Sequence, residues 1–512
     1  MGSKNQKKDQ IENRTRNISI VMILTLLSKV FGFTRDMILA NYYGASNVSD
    51  AYLVSLTIPE FVFSLVIQAI AVEFIPIFVE IFGKDGEERA NKFTNQVLTI
   101  MYICGAVVVV FMNLFPNAIV RLFANGFNDA TVALTVNFVR ITAAAVLFKG
   151  TVSVLSAYCE AKGEFARPAL VGLPMDIIMI SSIIISYRTN TILLAYGTVC
   201  AYAAQLIPLI PYCYHQGFHY KFQVNLRDPY LKRMLAMFLP VIIGVGANQV
   251  NILVDRSIAS TIEIGGISAL NYANKVDNIM ENVIVMSIAG VMYPLFSTFS
   301  SQRKYEELTQ SIQTCLEEVM LLIFPITVGS IVLAEPIIQL LFGRGAFDFQ
   351  AIKMTSMAMV GYSIGMIGVS IRAVLTRVYY SLQDVKTTVL NSVLAVGINI
   401  VLNYILSRFL GIWGLALASS IASLFCAILL LLGLRKKIEL HLNKIVISGT
   451  KILVPSVLMG VVVVFSYKTL CLHIGYTISL FVSTIIGVIV YFAMALLFKL
   501  PGLSNWVHIL KK

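Results

Sequence analysis

Several basic residues sit inside long apolar runs, at Lys29, Arg35, Arg140, Lys149, Arg256, Lys275, Lys353, Arg372, Arg377 and Lys451. A charge in hydrocarbon is costly unless it is paired or wetted. Arg377, Lys353 and Lys451 read as side chains snorkelling from helix ends, and Arg140 and Lys149 fit either reading. The rest have polar company. In SKVFGFTRD, Lys29 and Asp36 share one helix face, Arg35 lies beside them, and Gly32 permits a bend. YANKVDNIMEN carries Lys275 and places Asp277 and Glu281 one turn apart. Asn248, Gln249, Asn251, Asp255 and Arg256 gather in another run, Arg372 lies in a further one, and Glu73 interrupts an apolar stretch preceded by Asp50. Guanidinium forks and ammonium groups suit phosphate. The pattern therefore points to a water-filled cavity for an anionic ligand, a phosphate or diphosphate. Lys29, Arg35, Lys275 and Arg372 are the candidate ligand-binding residues. Asp36, Asp50, Asp255 and Arg256 are candidate orienting or gating groups, and Glu73, Asp277 and Glu281 candidate holders of a proton or Na⁺. The alternative is that these charges pair internally and only stabilise the bundle.

The elements that position these groups follow from composition. Of 512 residues, 57% are hydrophobic and 13% charged, against about 45–50% and about 25% in soluble domains. A mean hydropathy of +0.81 excludes a disordered, fibrous or ordinary soluble chain. Seven cysteines without a CxxC or a Cys/His cluster exclude a disulfide scaffold and a zinc module. A membrane helix needs about 20 apolar residues. Fourteen stretches qualify, near 17–34, 52–82, 94–115, 133–159, 168–187, 190–213, 230–260, 268–299, 315–336, 352–380, 386–407, 411–434, 448–467 and 474–498. They are too long and too unalternating for barrel strands. The first follows a basic tail (Lys4, Lys7, Lys8, Arg14, Arg16) without a small-residue cleavage site, and reads as an uncleaved helix.

Lysine and arginine crowd into alternate loops. One set holds the tail, Lys84, Arg89, Lys92, Lys162, Arg167, Lys221, Arg227, Lys232, Arg233, Arg303, Lys304, Lys386, Arg435, Lys436, Lys437, Lys444, Lys499, Lys511 and Lys512. The other holds Arg121, Arg188, Arg344, Arg408 and Lys468. That bias puts both termini in the cytoplasm, and it accounts for most of the net charge of +12 without a nucleic acid. No phosphate-loop, HExxH or GxSxG pattern marks an enzyme. His215 and His219, one turn apart in a basic loop, make a weak case for a metal, and no metal or organic cofactor is expected.

The chain also repeats itself. AIAVEFIPIF (69–78) resembles SIAGVMYPLF (287–296), LFANGF (122–127) resembles LFGRGAF (341–347), and DMILA (36–40) resembles DRSIA (255–259), all at nearly one offset. The offset spans six helices, an even number, so the copies are parallel. The expected architecture is an all-α polytopic membrane protein of fourteen transmembrane helices, with two parallel six-helix repeats and two extra C-terminal helices. Its expected parts are a basic tail (1–16), a first lobe of helices 1–6 (17–213) and a linker (214–229). A second lobe of helices 7–12 (230–434), a second linker (435–447), and helices 13–14 with the C-terminal tail (448–512) follow.

Five motifs appear in order: SKVFGFTRDMILANYYGASNVSDAY (28–52), the segment ending FIPIF at Phe78, ALNYANKVDNI (269–279), LFGRGAFD (341–348) and YYSLQDVKT (379–387). On these the chain resembles the MurJ/MviN family, the lipid II flippases of the multidrug/oligosaccharidyl-lipid/polysaccharide exporter superfamily. The resemblance covers essentially the whole chain. It implies movement of undecaprenyl-diphosphate-linked peptidoglycan precursor from the inner to the outer leaflet of the bacterial cytoplasmic membrane. It further implies alternating access driven by an ion gradient or membrane potential, and a cationic cavity for the diphosphate and sugar head. A groove by helices 13 and 14 would take the lipid tail. Membrane lipids and cell-wall synthesis proteins are the other partners implied. By this resemblance the family's cavity arginines fall on Lys29, Arg35 and Lys275, and its acidic residue before helix 2 on Asp50.

The sequence departs from the family in places. A P-N-x-x-R pattern in helix 2 is replaced by Pro59-Glu60-Phe61-Val62-Phe63, and an A-E-G-A segment by IQAIAVEF. Two arginines are lysines, which keeps charge and loses the bidentate fork. Other readings are a flippase for a capsule or exopolysaccharide precursor, a cation-coupled drug exporter, and a scaffold docking envelope enzymes through loops 214–233 and 435–444.

Overall fold

The computed structural model describes residues 2–500 and 502–503, with side chains described except at 2–18, 65, 66, 69, 71, 72, 237–245, 247, 248, 282–287 and 289. The tail cations Lys4, Lys7, Lys8, Arg14 and Arg16, together with Asn248, Lys511 and Lys512, therefore lie outside the described side chains. Among the described residues all regular structure is helical, as lipid demands when each backbone polar group must bond within its own segment. The first ten helices are α1 (Gly2–Tyr43), α2 (Asn47–Leu114), α3 (Pro116–Phe123), α4 (Asp129–Thr142), α5 (Ala145–Ala161), α6 (Ala166–Leu170), α7 (Gly172–Arg188), α8 (Leu193–Ala204), α9 (Ile210–His215) and α10 (Pro229–Ile262). There follow α11 (Gly266–Ser301), α12 (Tyr305–Val332), α13 (Ala334–Phe342), α14 (Phe349–Ser381), α15 (Val385–Arg435), α16 (Leu442–Ile474) and α17 (Tyr476–Leu497). The chain divides into two compact units, Met1–Ile264 and Gly265–Lys512.

Two of these helices are each two run together. α2 breaks at Gly86 (φ 82°) and α15 at Gly411 (φ 59°), a backbone region open to glycine because it lacks a Cβ. Dividing them there, and joining α4 to α5, α6 to α7 and α8 to α9, leaves fourteen long segments among the described residues, consistent with the expected spans. Among the described residues, seven helices are individually long and apolar enough to cross a membrane, and the α4–α5 pair, bent by 42°, makes an eighth if it is one span.

Local geometry shows why the repeated motifs recur. In LFANGF, Phe123 and Phe127 are buried, and Asn128 caps α4 by accepting the Thr131 N–H at 2.8 Å. In LFGRGAFD, Phe342 and Phe347 are buried, and Asp348 caps α14 by accepting the Ala351 N–H at 2.8 Å. Each motif is a pair of aromatic anchors followed by a helix cap. YYSLQDVKT is a stop and restart. Gln383 (φ 59°) ends α14, the Asp384 N–H bonds the Tyr379 carbonyl at 2.9 Å, and Asp384 caps α15 through the Thr387 N–H at 3.1 Å. The earlier half closes α5 in the same way, with Gly163 (φ 83°) and a Glu164 N–H to Cys159 carbonyl bond of 2.9 Å.

Each unit has its own core. Phe63, Phe74, Phe78, Phe93 and Tyr158 fill the first. Phe296, Leu316, Phe324, Tyr379 and Tyr491 lie in the second. The last two helices belong to that second core: the Tyr491 hydroxyl of α17 donates to the Leu321 carbonyl of α12 at 2.6 Å. α14 meets the latter half of α15 through small residues, the means by which membrane helices approach closely. The Ser420 hydroxyl donates to the Gly361 carbonyl at 2.5 Å, and a Cβ on Gly368 would lie 2.6 Å from the Leu424 nitrogen.

The segment between α9 and α10 is tied down along α2. The Lys221 N–H donates to Asn95 Oδ1 (3.0 Å), Asn95 Nδ2 donates to the His219 carbonyl (3.3 Å), and the Gln223 N–H donates to Thr99 Oγ1 (3.3 Å). At its end the Arg89 guanidinium clamps the buried Asp228, which also caps α10 by accepting the Tyr230 N–H at 3.0 Å. Burial by itself would raise the pKa of Asp228; the Arg89 hydrogen bond and charge outweigh it and hold the carboxyl below its ordinary range.

Two outcomes follow from this packing. Gly368→Ala forces a methyl group against the α15 backbone, so it should lower the apparent melting temperature in detergent, at an overpacking cost of about 1–3 kcal/mol. Gly397→Ala, with nothing within 4 Å of the added carbon, should be neutral or stabilising. Because the folded pKa of Asp228 is depressed, its contribution is present above the unfolded value of about 3.9 and is lost as pH falls below it. Deuterium uptake across 217–228, normalised to intrinsic rates, should stay flat down to about pH 4.5 and climb below about pH 4. At neutral pH, Asp228→Asn should speed tryptic nicking at Lys221 and Arg227.

Candidate functional site

In the first unit the TRD motif meets a partner from a distant helix. Arg35 of α1 directs Nη1 to Asp176 Oδ1 on α7 at 2.9 Å, and both Nε and Nη2 to Asp36 Oδ1 at 3.2 and 3.1 Å. The guanidinium side chain is 19% exposed, while Asp36 and Asp176 are 6% and 3% exposed. Nη1 also lies 3.5 Å from Met179 Sδ. Gly32 keeps α1 close to this acid: a Cβ there would stand 3.4 Å from Asp176 Oδ2. The fork is thus engaged by carboxylates on two helices, and Asp36 takes its hydrogen bonds from Arg35. Lys29, which shares a face with Asp36 in sequence, is exposed and makes no ion pair among the described residues. Asp50 is buried in the first turn of α2, whose N-cap Ser46 forms a capping box with Ser49. Glu73 is part-exposed three residues before Pro76. Asp255 of α10 accepts from Asn251 Nδ2 at 3.3 Å, and Arg256 follows it, part-exposed.

The second unit gathers its own polar set. Asp277 of α11 is buried and accepts from the Ser363 hydroxyl of α14 at 3.3 Å. Glu281 lies one turn on, within electrostatic reach of Asp277 and of Arg372 on α14. Three expected residues, Asp277, Glu281 and Arg372, are therefore brought together, while Lys275 is exposed on α11. Such a set can hold a proton or cation between its carboxylates, or present Arg372 to an anion.

Three groups have partners that the motifs do not reveal. Asp176 was visible as a lone acid within VGLPMDIIMISSIII, but its partner lies 141 residues away. Lys149 of α5 is only 13% exposed, with Nζ 3.5 Å from Glu60 Oε2 on α2 and 4.6 Å from the Tyr202 ring centroid on α8. In α15, Asn403 Nδ2 donates to Asn399 Oδ1 (2.9 Å) and Asn399 Nδ2 to Ser419 Oγ (3.2 Å). Two cavities lie elsewhere in the second unit. An apolar groove of 460 Å³ on α16 and α17 is lined by Val461, Val462, Phe465, Leu470 and Ile486, with Ser466 and Thr469. A polar cleft of 680 Å³ opens between the starts of α12 and α16, lined by residues including Glu306, Glu317, Glu439, His441 and Lys444.

Comparison with known proteins places this geometry. The family model described as "Lipid II flippase MurJ" matches residues 39–498. A Rickettsia prowazekii protein named "Probable lipid II flippase MurJ" is 26% identical over 500 residues, covering 95% of this chain and 98% of that protein. A Thermotoga maritima protein of the same name is 26% identical, covering 94% of this chain and 96% of that protein. Among solved structures, "Lipid II flippase MurJ, inward closed conformation" aligns with a TM-score of 0.79 at 23% identity, over 94% of this chain and 98% of that one. An inward-facing multidrug resistance MATE family transporter of the MOP superfamily aligns with a TM-score of 0.69 at 14% identity, over 82% of this chain and 98% of that one. The two structures establish the shared fold, and the family match spans most of the sequence: the chain belongs to the lipid II flippase MurJ family.

Proposed function

We propose that this chain flips lipid II, the undecaprenyl-diphosphate-linked peptidoglycan precursor, from the inner to the outer leaflet of the bacterial cytoplasmic membrane by alternating access. The observation that carries this reading is the family match over residues 39–498. The exposed cations Lys29 and Lys275 supply charge for the diphosphate, with Arg372 as a further candidate. The apolar groove on α16 and α17 offers a place for the polyprenyl tail, where each buried CH₂ contributes about 0.8 kcal/mol. The basic loops favour both termini in the cytoplasm. An ion gradient or the membrane potential would drive the cycle, with Asp277, Glu281 or Glu73 carrying the coupled cation.

Complementation tests it. In a bacterium depleted of its own lipid II flippase, this chain should restore growth and outer-leaflet lipid II. Lys29→Ala and Lys275→Ala should insert normally and flip poorly. A well-inserted wild type that fails to rescue would sink the lipid II assignment and favour another undecaprenyl-linked saccharide. Arg35 calls for a separate measurement, because its fork is already engaged. Asp176→Ala leaves a buried guanidinium short of one carboxylate and should cost about 3 kcal/mol, read as a lower melting temperature. The triple Arg35→Met, Asp36→Asn, Asp176→Leu variant, which removes all three charges, should recover much of that loss.

A further inference from the structure

The Lys149–Glu60–Tyr202 constellation belongs to none of the motifs. Glu60 is the fourteenth residue of α2, about 20 Å along the helix at 1.5 Å per residue. Counted from the helix start, that depth is about two-thirds of the way through a hydrocarbon layer about 30 Å thick. Its side chain is nevertheless 63% exposed. A carboxylate so placed belongs on a wetted surface, since facing lipid would be costly. Behind it Lys149 is nearly buried, with a loose 3.5 Å contact to Glu60 and its ammonium over the Tyr202 ring. The pair leaves donors of the ammonium for another acceptor. Phe63, one turn beyond Glu60, is fully buried and packs against Gly150, so α2 presents an aromatic ring to α5 there, and the neighbouring cation comes from α5.

We propose that Lys149 is a specificity-determining contact for the phosphate-bearing head of the transported lipid, with Glu60 as the counter-ion that the phosphate displaces; this rests on the flippase reading above. Tyr202 holds the ammonium in place by cation–π attraction, which persists when Glu60 is released. A phosphate oxygen takes the position of the carboxylate, so the nearly buried charge is neutralised before and after binding.

The test uses full-length protein in detergent, with undecaprenyl diphosphate as the probe and native mass spectrometry as the readout. Lys149→Gln should insert and melt like wild type and lose about tenfold in binding, Lys149→Arg should keep most of it, and Glu60→Gln should bind severalfold tighter. Opposite signs for Lys149→Gln and Glu60→Gln mark a ligand contact with a competing anion. Equal losses in both would mark a pair that only joins α2 to α5, and unchanged binding in Lys149→Gln would equally overturn the proposal. Wild-type binding of the probe without rescue of flippase-depleted cells would sink the lipid II reading and leave the Lys149 contact standing.

Discussion

An ionised group inside a bilayer has to be neutralised or wetted, and the placement of polar residues in both units follows from that constraint. Arg35 satisfies it by division: one guanidinium serves carboxylates on α1 and α7, and its planar fork is what lets it reach both. Asp277 accepts a hydrogen bond from a hydroxyl of α14. Lys149 uses a ring face and a distant carboxylate. Lys29, Lys275 and Glu60 are exposed. The molecule thus carries two populations of membrane charge. One is enclosed among helices, as at Arg35, and the other is exposed, as at Lys29.

Much of this was legible in the residues. Spans, repeat and the crowded charges of SKVFGFTRD and YANKVDNIMEN are local patterns, and helix periodicity projects them onto faces. The recurring LFANGF and LFGRGAFD segments were visible as motifs, though their reason was not: a cap and two buried rings matter only once α3 and α13 fold back. What stayed hidden depends on distant partners. Asp176 reaches Arg35 across 141 residues, and Lys149 reaches Glu60 across two helices. Sequence spacing carries no information about which faces meet. The same limit left Lys29 and Asp36 looking like partners, because sharing a face is necessary for a pair and does not ensure one.

The departures from the family pattern also acquire a physical form. Phe63 is a core residue whose ring fills the space beside Gly150. An arginine there would leave a hole in a packed aromatic cluster and bring a charge to be neutralised. Glu60, in the same departed segment, meets Lys149 of α5 close by. The lysine at position 29 is a different matter: it keeps a charge on an exposed surface, where an ammonium can turn to meet a diphosphate without a fixed geometry.

The strap along α2 ties the start of α10 to the first unit. Residues 219–223 are pinned to Asn95 and Thr99, and Arg89 grips Asp228 at the start of α10. α10 opens the second sequence repeat, yet it is built into the frame of the first unit. Sequence repeat and mechanical part are therefore out of step by one helix. The stretch that looks like a slack tether in sequence is part of the first unit's frame, and that unit ends at the short turn Glu263–Gly265, where Gly265 takes a φ of 82°. α10 is thereby fixed at its start to a helix of the first repeat, and the boundary between the sequence repeats does not coincide with the boundary between the compact units.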